Sequence, residues 1–376
     1  MILVVGATGS LGGMITRRLL EAGKEVRILV RRNSPSEELA RQGMATSASS
    51  LIEAGAHPVY GDLKDRSSLD PACDGIETVI TTANSVLRGG EDNLQTVDLE
   101  GNRSLIDAAR AAGVRQLIFT SALGADVNNP LPLFQIKAKT EAYLRDSGMP
   151  YTILAPNAFM EVWAGMVVGL PLQAGQPVTL VGEGRRRHSF ISQGDVAAFA
   201  VAAVEHPAAM NQCLYLGGPE AVSWRDVVAA FGRELHCEVP VRFAAPGEPV
   251  PGLPESVAGF LASTETFDSV LDTSGLARTF GVQLTPLDSA VHAMLARARV
   301  RAWPGPSMEP ETPPARSHLF TVKLWLEPLG DGQTEWRGQL RDVESGEIRY
   351  FRNLTKLVQC LEGFLDTATR CDALGP

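Results

Sequence analysis

Gly6, Gly9 and Gly12 stand at G-x-x-G-x-x-G spacing, directly after the apolar run ILVV of residues 2–5 and directly before the amphipathic stretch LGGMITRRLL. No other feature of the chain restricts its fold as much. The short β-branched run reads as a strand buried on both faces. Gly6 permits the tight turn off that strand, Gly9 lets backbone N–H groups approach a pyrophosphate, and Gly12 lets the following helix pack closely on the sheet. The helix from about Leu11 then directs its positive end at the phosphates. Gly6, Ala7, Thr8, Gly9, Ser10, Leu11 and Gly12 are therefore expected to cradle a dinucleotide, and a second strand over residues 25–30 completes a βαβ unit around them.

The residues that follow each strand extend this reading. Arg31 and Arg32 come directly after the second strand, and no carboxylate ends it. An acidic residue there bonds the ribose 2′-OH of NAD, whereas a basic one accommodates the 2′-phosphate of NADP, so the pair favours NADP(H) over NAD(H). The alternative is two solvated loop charges, above all for Arg32. A strand over 57–60 ends in Gly61-Asp62-Leu63. Asp62 either bonds the adenine amine or serves as a turn or N-cap aspartate for the helix after it. A strand over 78–82 runs into Ala83-Asn84, whose backbone is expected beside the nicotinamide ribose; Arg88-Gly89-Gly90 lies in the next loop and a helix spans 93–112. With a fifth strand over 116–120, β and α elements have alternated five times. The fold class is α/β, a doubly wound parallel sheet with helices on both faces.

Composition narrows the partners. A formal net charge of -9 disfavours a large nucleic-acid surface, whose affinity comes from neutralising phosphates. A small-molecule substrate or a protein partner fits better. The five cysteines are scattered and show no C-x-x-C pair, as in reduced cytosolic proteins, and no metal-ligand spacing is present. The first strand leaves no room for a signal peptide, and no apolar run is long enough for a membrane span. A soluble cytoplasmic protein without membrane insertion is expected.

Taken in order, GATGSLGG, the arginines after the second strand, GDL, VDLEGNRSLIDAARAAGV, LIFTSALGAD and KAKTEAYLRDSGMPYTILAPNAFME resemble the short-chain dehydrogenase/reductase superfamily, and within it the atypical NmrA-like branch. The likeness covers residues 1 to about 300. It implies a Rossmann fold and one of several functions: an NADPH-dependent reductase, a redox-sensing regulator that binds NADP without turnover, or an assembly factor of a photosynthetic or respiratory complex. Active members of the superfamily use a serine after the fifth strand and a tyrosine four residues before a lysine. Here Ser121 lies near the serine position, Lys137 falls at the lysine position, and Leu133 occupies the tyrosine position. Leucine donates no proton. The resemblance thus leaves Lys137 either to grip the ribose hydroxyls or to act as the acid, as a lysine does in isoflavone-reductase-like relatives. Ser121 is left either to polarise a substrate carbonyl or to cap its loop.

A sixth strand, 150–154, leads into a segment rich in Phe, Met, Trp and Gly. Asn157, Phe159, Met160 and Trp163 in it are expected to shape the substrate pocket, against the alternative that the aromatic stripe is simply core. Arg185, Arg186, Arg187 and His188 follow a strand over 179–181; alternation would divide them between two faces, as a solvated edge or in part as an anion site. Asp195 is placed at the N-cap or first turn of the next helix, and Ser223 and Thr285 are read as caps of helices 224–235 and 286–298. These pieces, with a strand over 214–216, form the expected substrate lobe, so the first domain spans 1–300 with the lobe from about 157. Residues 301–316 are a proline-rich linker. Strands over 319–327, 335–343 and 348–351, with a helix 354–365 capped by Asn353, make a small sheet-and-helix domain over 317–376. It is either a protein-docking module or a packing cap.

Overall fold

Alternation along β1 (Ile2–Val5) sets the layering. Ile2 and Val4 enter one apolar layer and Leu3 and Val5 the other, because successive side chains of a strand point to opposite faces. The computed structural model describes residues 1–32, 40, 45–85, 90–253, 255–298, 320–330, 333–342, 346–352, 356 and 360. Arg88, Gly89, the 301–316 linker, Asn353 and most of 354–365 lie outside them. The chain divides into two compact units, Met1–Gly305 and Pro306–Pro376.

In the first unit β2 (Val26–Val30), β3 (His57–Tyr60), β4 (Thr78–Thr81), β5 (Gln116–Thr120), β6 (Tyr151–Pro156) and a later strand, Gln212–Leu216, join β1 in one seven-stranded sheet. All of its pairings are parallel. The strand order reverses between β1 and β4, and ligands of open α/β sheets bind at such a reversal, outside the carboxyl ends of the strands. The helix Ser10–Glu21 buries Leu11, Ile15 and Leu19, spaced four apart, and packs beside the helix Gln193–Ala202, whose buried Ala197 and Ala200 allow close approach. On the opposite face, Leu69, Leu105, Ile106 and Leu144 come from three further helices. Each such side chain contributes about 1.5–3 kcal/mol by leaving water.

Two expectations change here. The strand Gln212–Leu216, assigned above to the lobe, is the seventh strand of the main sheet, paired with β6. The helix expected over 93–112 is two pieces: Leu94–Gly101 in wide i→i+5 turns capped by Asn93, then the α-helix Asn102–Ala111. The wide turns persist because other side chains use their carbonyls. Asn102 Nδ2 donates to the Val97 and Asp98 carbonyls at 3.2 and 3.1 Å, and Thr140 Oγ1 donates to that of Asp98 at 3.1 Å. Such turns cluster at functional sites.

The lobe has its own core of Val168, Leu180, Trp224, Phe231, Leu261 and Val291. It carries a separate parallel pair, β7 (Val178–Val181) with the strand Val241–Ala244. Ser223 caps Trp224–Leu235 in a reciprocal capping box with Asp226. Thr285, read from sequence as a cap, also makes a contact that the sequence does not show. Its hydroxyl and N–H both donate to Asp195, at 2.7 and 2.8 Å, tying the last helix of the unit to the first turn of Gln193–Ala202. Ser192 caps that helix, which leaves Asp195 free for the tie.

The second unit is an antiparallel sheet of Phe320–Gly330, Gln333–Asp342 and Ile348–Phe351. Leu340 and Phe351 are buried, and the Phe351 ring lies over Gly338, where a side chain would collide with it.

Candidate functional site

At the turn after β1, Gly6 has φ +86°, a region that side chains disfavour, and a Cβ there would sit 2.7 Å from Thr82 Oγ1 and 3.0 Å from the Ala83 nitrogen. A Cβ on Gly12 would collide with the Gly6 carbonyl. The helix and the turn can therefore touch only with glycine at both positions. Gly9 N–H donates to the Gly6 carbonyl at 2.9 Å, which closes the turn. Among the described residues no side chain caps the helix that follows, so its first-turn N–H groups lack the partner an N-cap normally supplies. Ala7 and Leu11 bury their side chains and offer only backbone, while Gly9 and Ser10 are exposed. An open, side-chain-free ring of donors at a helix N-terminus fits a diphosphate. Thr46, adjacent in space, donates its N–H to the Thr8 carbonyl at 2.8 Å, and the Ser10 hydroxyl donates to Gln193 Oε1 at 2.7 Å.

The two arginines are placed differently. Arg31 Nη1 meets Asp92 Oδ2 at 2.6 Å, and Lys64 Nζ meets Asp92 Oδ1 at 2.8 Å. The Arg32 guanidinium lies 4.8 Å from the centroid of the Tyr60 ring. Asp62 accepts from the Lys64 N–H at 2.9 Å and is a turn residue, while the N-cap of the next helix is Asp65. Leu63 is buried in the core beneath. Asn84 Nδ2 donates to the Thr82 carbonyl at 3.3 Å, which sets Ala83 and Asn84 beside the Gly6 turn.

Lys137 is 6% exposed. Its Nζ donates to the Thr120 carbonyl, the last residue of β5, at 3.1 Å, stands 3.7 Å from Asp98 Oδ1 and lies 5.0 Å from the Phe119 ring centroid. Burial pushes its pKa below the ordinary lysine range, while the charges of Asp98 and Glu141 pull it back upward. Asp98 is fully buried; its Oδ2 accepts the N–H and hydroxyl of Ser85 at 2.9 and 2.7 Å. Its Oδ1 has no hydrogen-bond partner and faces the lysine charge. The Ser121 hydroxyl donates to Glu141 Oε1 at 2.5 Å, and Arg145 holds the other carboxylate oxygen at 2.8 Å. As arranged, the Ser121 proton is committed to Glu141. Leu133 leaves the turn before Lys137 without a titratable group.

The segment after β6 serves the lobe more than the expected pocket. Met160 is 3% exposed and belongs to the lobe core, which corrects its expected place as a pocket wall. Phe159 packs against the main core, and Trp163 stacks on Phe260 with ring centroids 4.0 Å apart. Asn157 Nδ2 donates to the carbonyl and hydroxyl oxygens of Ser269 at 3.1 and 3.0 Å, pinning the lobe segment that carries Ser269. The arginine run forms no continuous strand: Arg185 pairs with Glu183, Arg186 with Asp268, and Arg187 donates to the Ala221 carbonyl. His188 is a buried structural residue, its Nδ1 2.8 Å from Ser269 Oγ, and burial lowers its pKa. A cavity of about 490 Å³ in the lobe, lined by Leu180, Arg225, Val228, Val239 and Phe243, shares no residue with the Gly6 to Lys137 cluster.

Asp98, Glu141 and Asp92 were not legible as site residues. Only Asp98 had a signal, a carboxylate between the apolar Val97 and Leu99 of VDLEG, where a solvated helix face would not place one.

A model of the NmrA-like family matches residues 1–292. The photosystem II assembly factor Ycf39 of Cyanophora paradoxa is 33% identical over 227 residues, which is 60% of this chain and 66%, just under two thirds, of that one. The NAD(P)H azoreductase of Xenophilus azovorans is 30% identical over 284 residues, 73% of this chain and 91% of the relative. Among solved structures, an NADPH-dependent quinone oxidoreductase from Escherichia coli, complexed with NADPH, superposes with a TM-score of 0.64 at 24% identity over 78% of this chain and 100% of that one. A Citrobacter triphenylmethane reductase complexed with NADP(H) gives 0.63 at 21%, over 78% and 99%. At these identities the structural likeness bears on the fold.

Proposed function

The chain belongs to the NmrA-like family, and from that premise we propose that it binds NADP(H) at the carboxyl edge of the main sheet and reduces a small, flat, conjugated acceptor of the quinone, azo or enone class. The observation that carries this reading is the glycine turn, where neither Gly6 nor Gly12 has room for a side chain and the helix behind it lacks a cap. Residues 6–12 would hold the diphosphate, Arg31 the 2′-phosphate, Ala83 and Asn84 the nicotinamide ribose by backbone, and Lys137 the ribose hydroxyls. The bound coenzyme supplies a hydride. Lys137 supplies a proton donor whose acidity burial increases. Leu133 argues for the acceptor class, because a conjugated acceptor needs less proton donation from the enzyme than a simple ketone does. Relatives named for azo and quinone reduction support the same class.

Leu133 and the likeness to an assembly factor favour a second reading, an NADP(H)-binding protein without turnover that acts on a protein partner. We assign the partner contact to the domain over 317–376. Among the described residues no helix is long and apolar enough to cross a membrane. Purified protein mixed with NADPH and a panel of quinones, azo dyes and enones, followed by the absorbance of the reduced nicotinamide, separates the two readings. Acceptor-dependent oxidation that falls in a Lys137→Met variant supports the reductase. Saturable NADPH binding with no oxidation above background on any of the panel supports the partner-binding protein.

A further inference from the structure

Asp92 has no place in the coenzyme reading above, yet it joins Arg31, the cation proposed there for the 2′-phosphate, to a second cation, Lys64. It precedes the Asn93 cap after β4, whereas Arg31 follows β2 and Lys64 follows β3. In the sheet order β3-β2-β1-β4, the Asp92 segment must reach back past β1 and its glycine turn, a span of about 10 Å for two strand spacings. There each carboxylate oxygen takes one cation, Arg31 at 2.6 Å and Lys64 at 2.8 Å. The Asp92 side chain is 12% exposed, while Arg31 and Lys64 keep 29% and 27%, so both cations still present a face to solvent. Contact with Asp92 also holds the Lys64 pKa above its usual range.

We infer that Asp92 is an internal anion that competes with the 2′-phosphate for Arg31 and Lys64, and so sets how far this chain prefers NADP(H) over NAD(H). The inference rests on the proposal that the glycine turn holds a dinucleotide. Arg31, Lys64 and Asp92 sum to one positive charge, and the exposed Glu91, 3.8 Å from Lys64, reduces it further, against a phosphate monoester carrying about -1.5 to -2 at neutral pH. With aspartate present, the trio and phosphate together are left net negative. Asparagine at the same position keeps the shape and one acceptor oxygen and removes the opposing charge. NADH has no 2′-phosphate, and its ribose hydroxyl competes for neither cation.

The test is a titration of NADPH and NADH, by nicotinamide fluorescence, into wild type, Asp92→Asn, Arg31→Met and the double variant, at two salt concentrations. Binding is read, not turnover. Asp92→Asn is expected to tighten NADPH about tenfold, the order expected for removing one charge near a doubly charged group in a water-like dielectric. NADH should change less than about twofold, and the NADPH gain should shrink with salt. In the Arg31→Met background the gain should fall below about threefold, the remainder acting through Lys64. An NADPH to NADH affinity ratio unmoved by Asp92→Asn, or moved toward NADH, would overturn the inference and leave the proposed function standing. Wild type that binds neither coenzyme would overturn both.

Discussion

Lys137→Met tests the buried pair at the centre of the site. Methionine keeps the length and apolar bulk of the lysine stem and removes the ammonium. At 3.7 Å from Asp98 Oδ1, with an effective dielectric constant of about 20, that ammonium contributes an attraction of about 4 kcal/mol. Its loss also breaks the 3.1 Å bond to the Thr120 carbonyl, worth about 1 kcal/mol or more because the donor is charged. Against this, the buried lysine no longer suffers the desolvation that pushes its pKa down. What remains is a fully buried carboxylate with one oxygen satisfied by Ser85 and the other without any partner. Breaking a buried pair from one side costs about 3–5 kcal/mol, and the expected net loss is about 3–4. Urea unfolding at neutral pH, followed by circular dichroism, should show the midpoint fall without a change in slope. Adding Asp98→Asn, which removes the stranded charge and keeps an acceptor for Ser85, should restore at least about half of the loss. A single-variant loss below about 1 kcal/mol, or a double variant less stable than the single, would refute the pairing.

Other outcomes follow from the same geometry. Gly12→Val should abolish coenzyme binding and cost about 1–3 kcal/mol of stability, since the added carbons meet the Gly6 carbonyl and Thr82; calorimetric titration beside thermal unfolding checks both. Burial lowers the His188 pKa from its ordinary 6.5, so the unfolded chain binds the proton more readily than the folded one. Its stability contribution is therefore present above pH 6.5 and lost as pH falls toward the folded value, and His188→Gln should flatten the loss of stability below pH 6.5. Gly338→Ala should destabilise the three-stranded sheet by displacing the Phe351 ring, seen as faster amide exchange in Gln333–Asp342.

The main sheet was legible because its strands are buried on both faces, and ILVV, TVIT and QLIFT are short, uncharged runs rich in β-branched residues. The glycine turn was legible for the complementary reason, that Gly6 and Gly12 answer to backbone geometry alone. What escaped were features set by partners distant in sequence. Asp98 finds Lys137 39 residues later only because wide helical turns carry it inward, and no periodicity in VDLEGN shows such a turn. Thr285 donates twice to Asp195, 90 residues earlier, and nothing in the sequence around either residue shows that tie. Met160 reads as a pocket wall because composition cannot separate a cleft from the core of a second lobe.

Coenzyme selectivity, the role of Lys137 and the acceptor class all presuppose that the backbone of residues 6–12 receives a dinucleotide. A crystal structure of the protein grown with saturating NADPH measures this directly. The account predicts the diphosphate within hydrogen-bond distance of the N–H groups that open the helix Ser10–Glu21, with the nicotinamide ribose beside Lys137. Coenzyme bound elsewhere on the chain, or an empty turn at saturation, would contradict it.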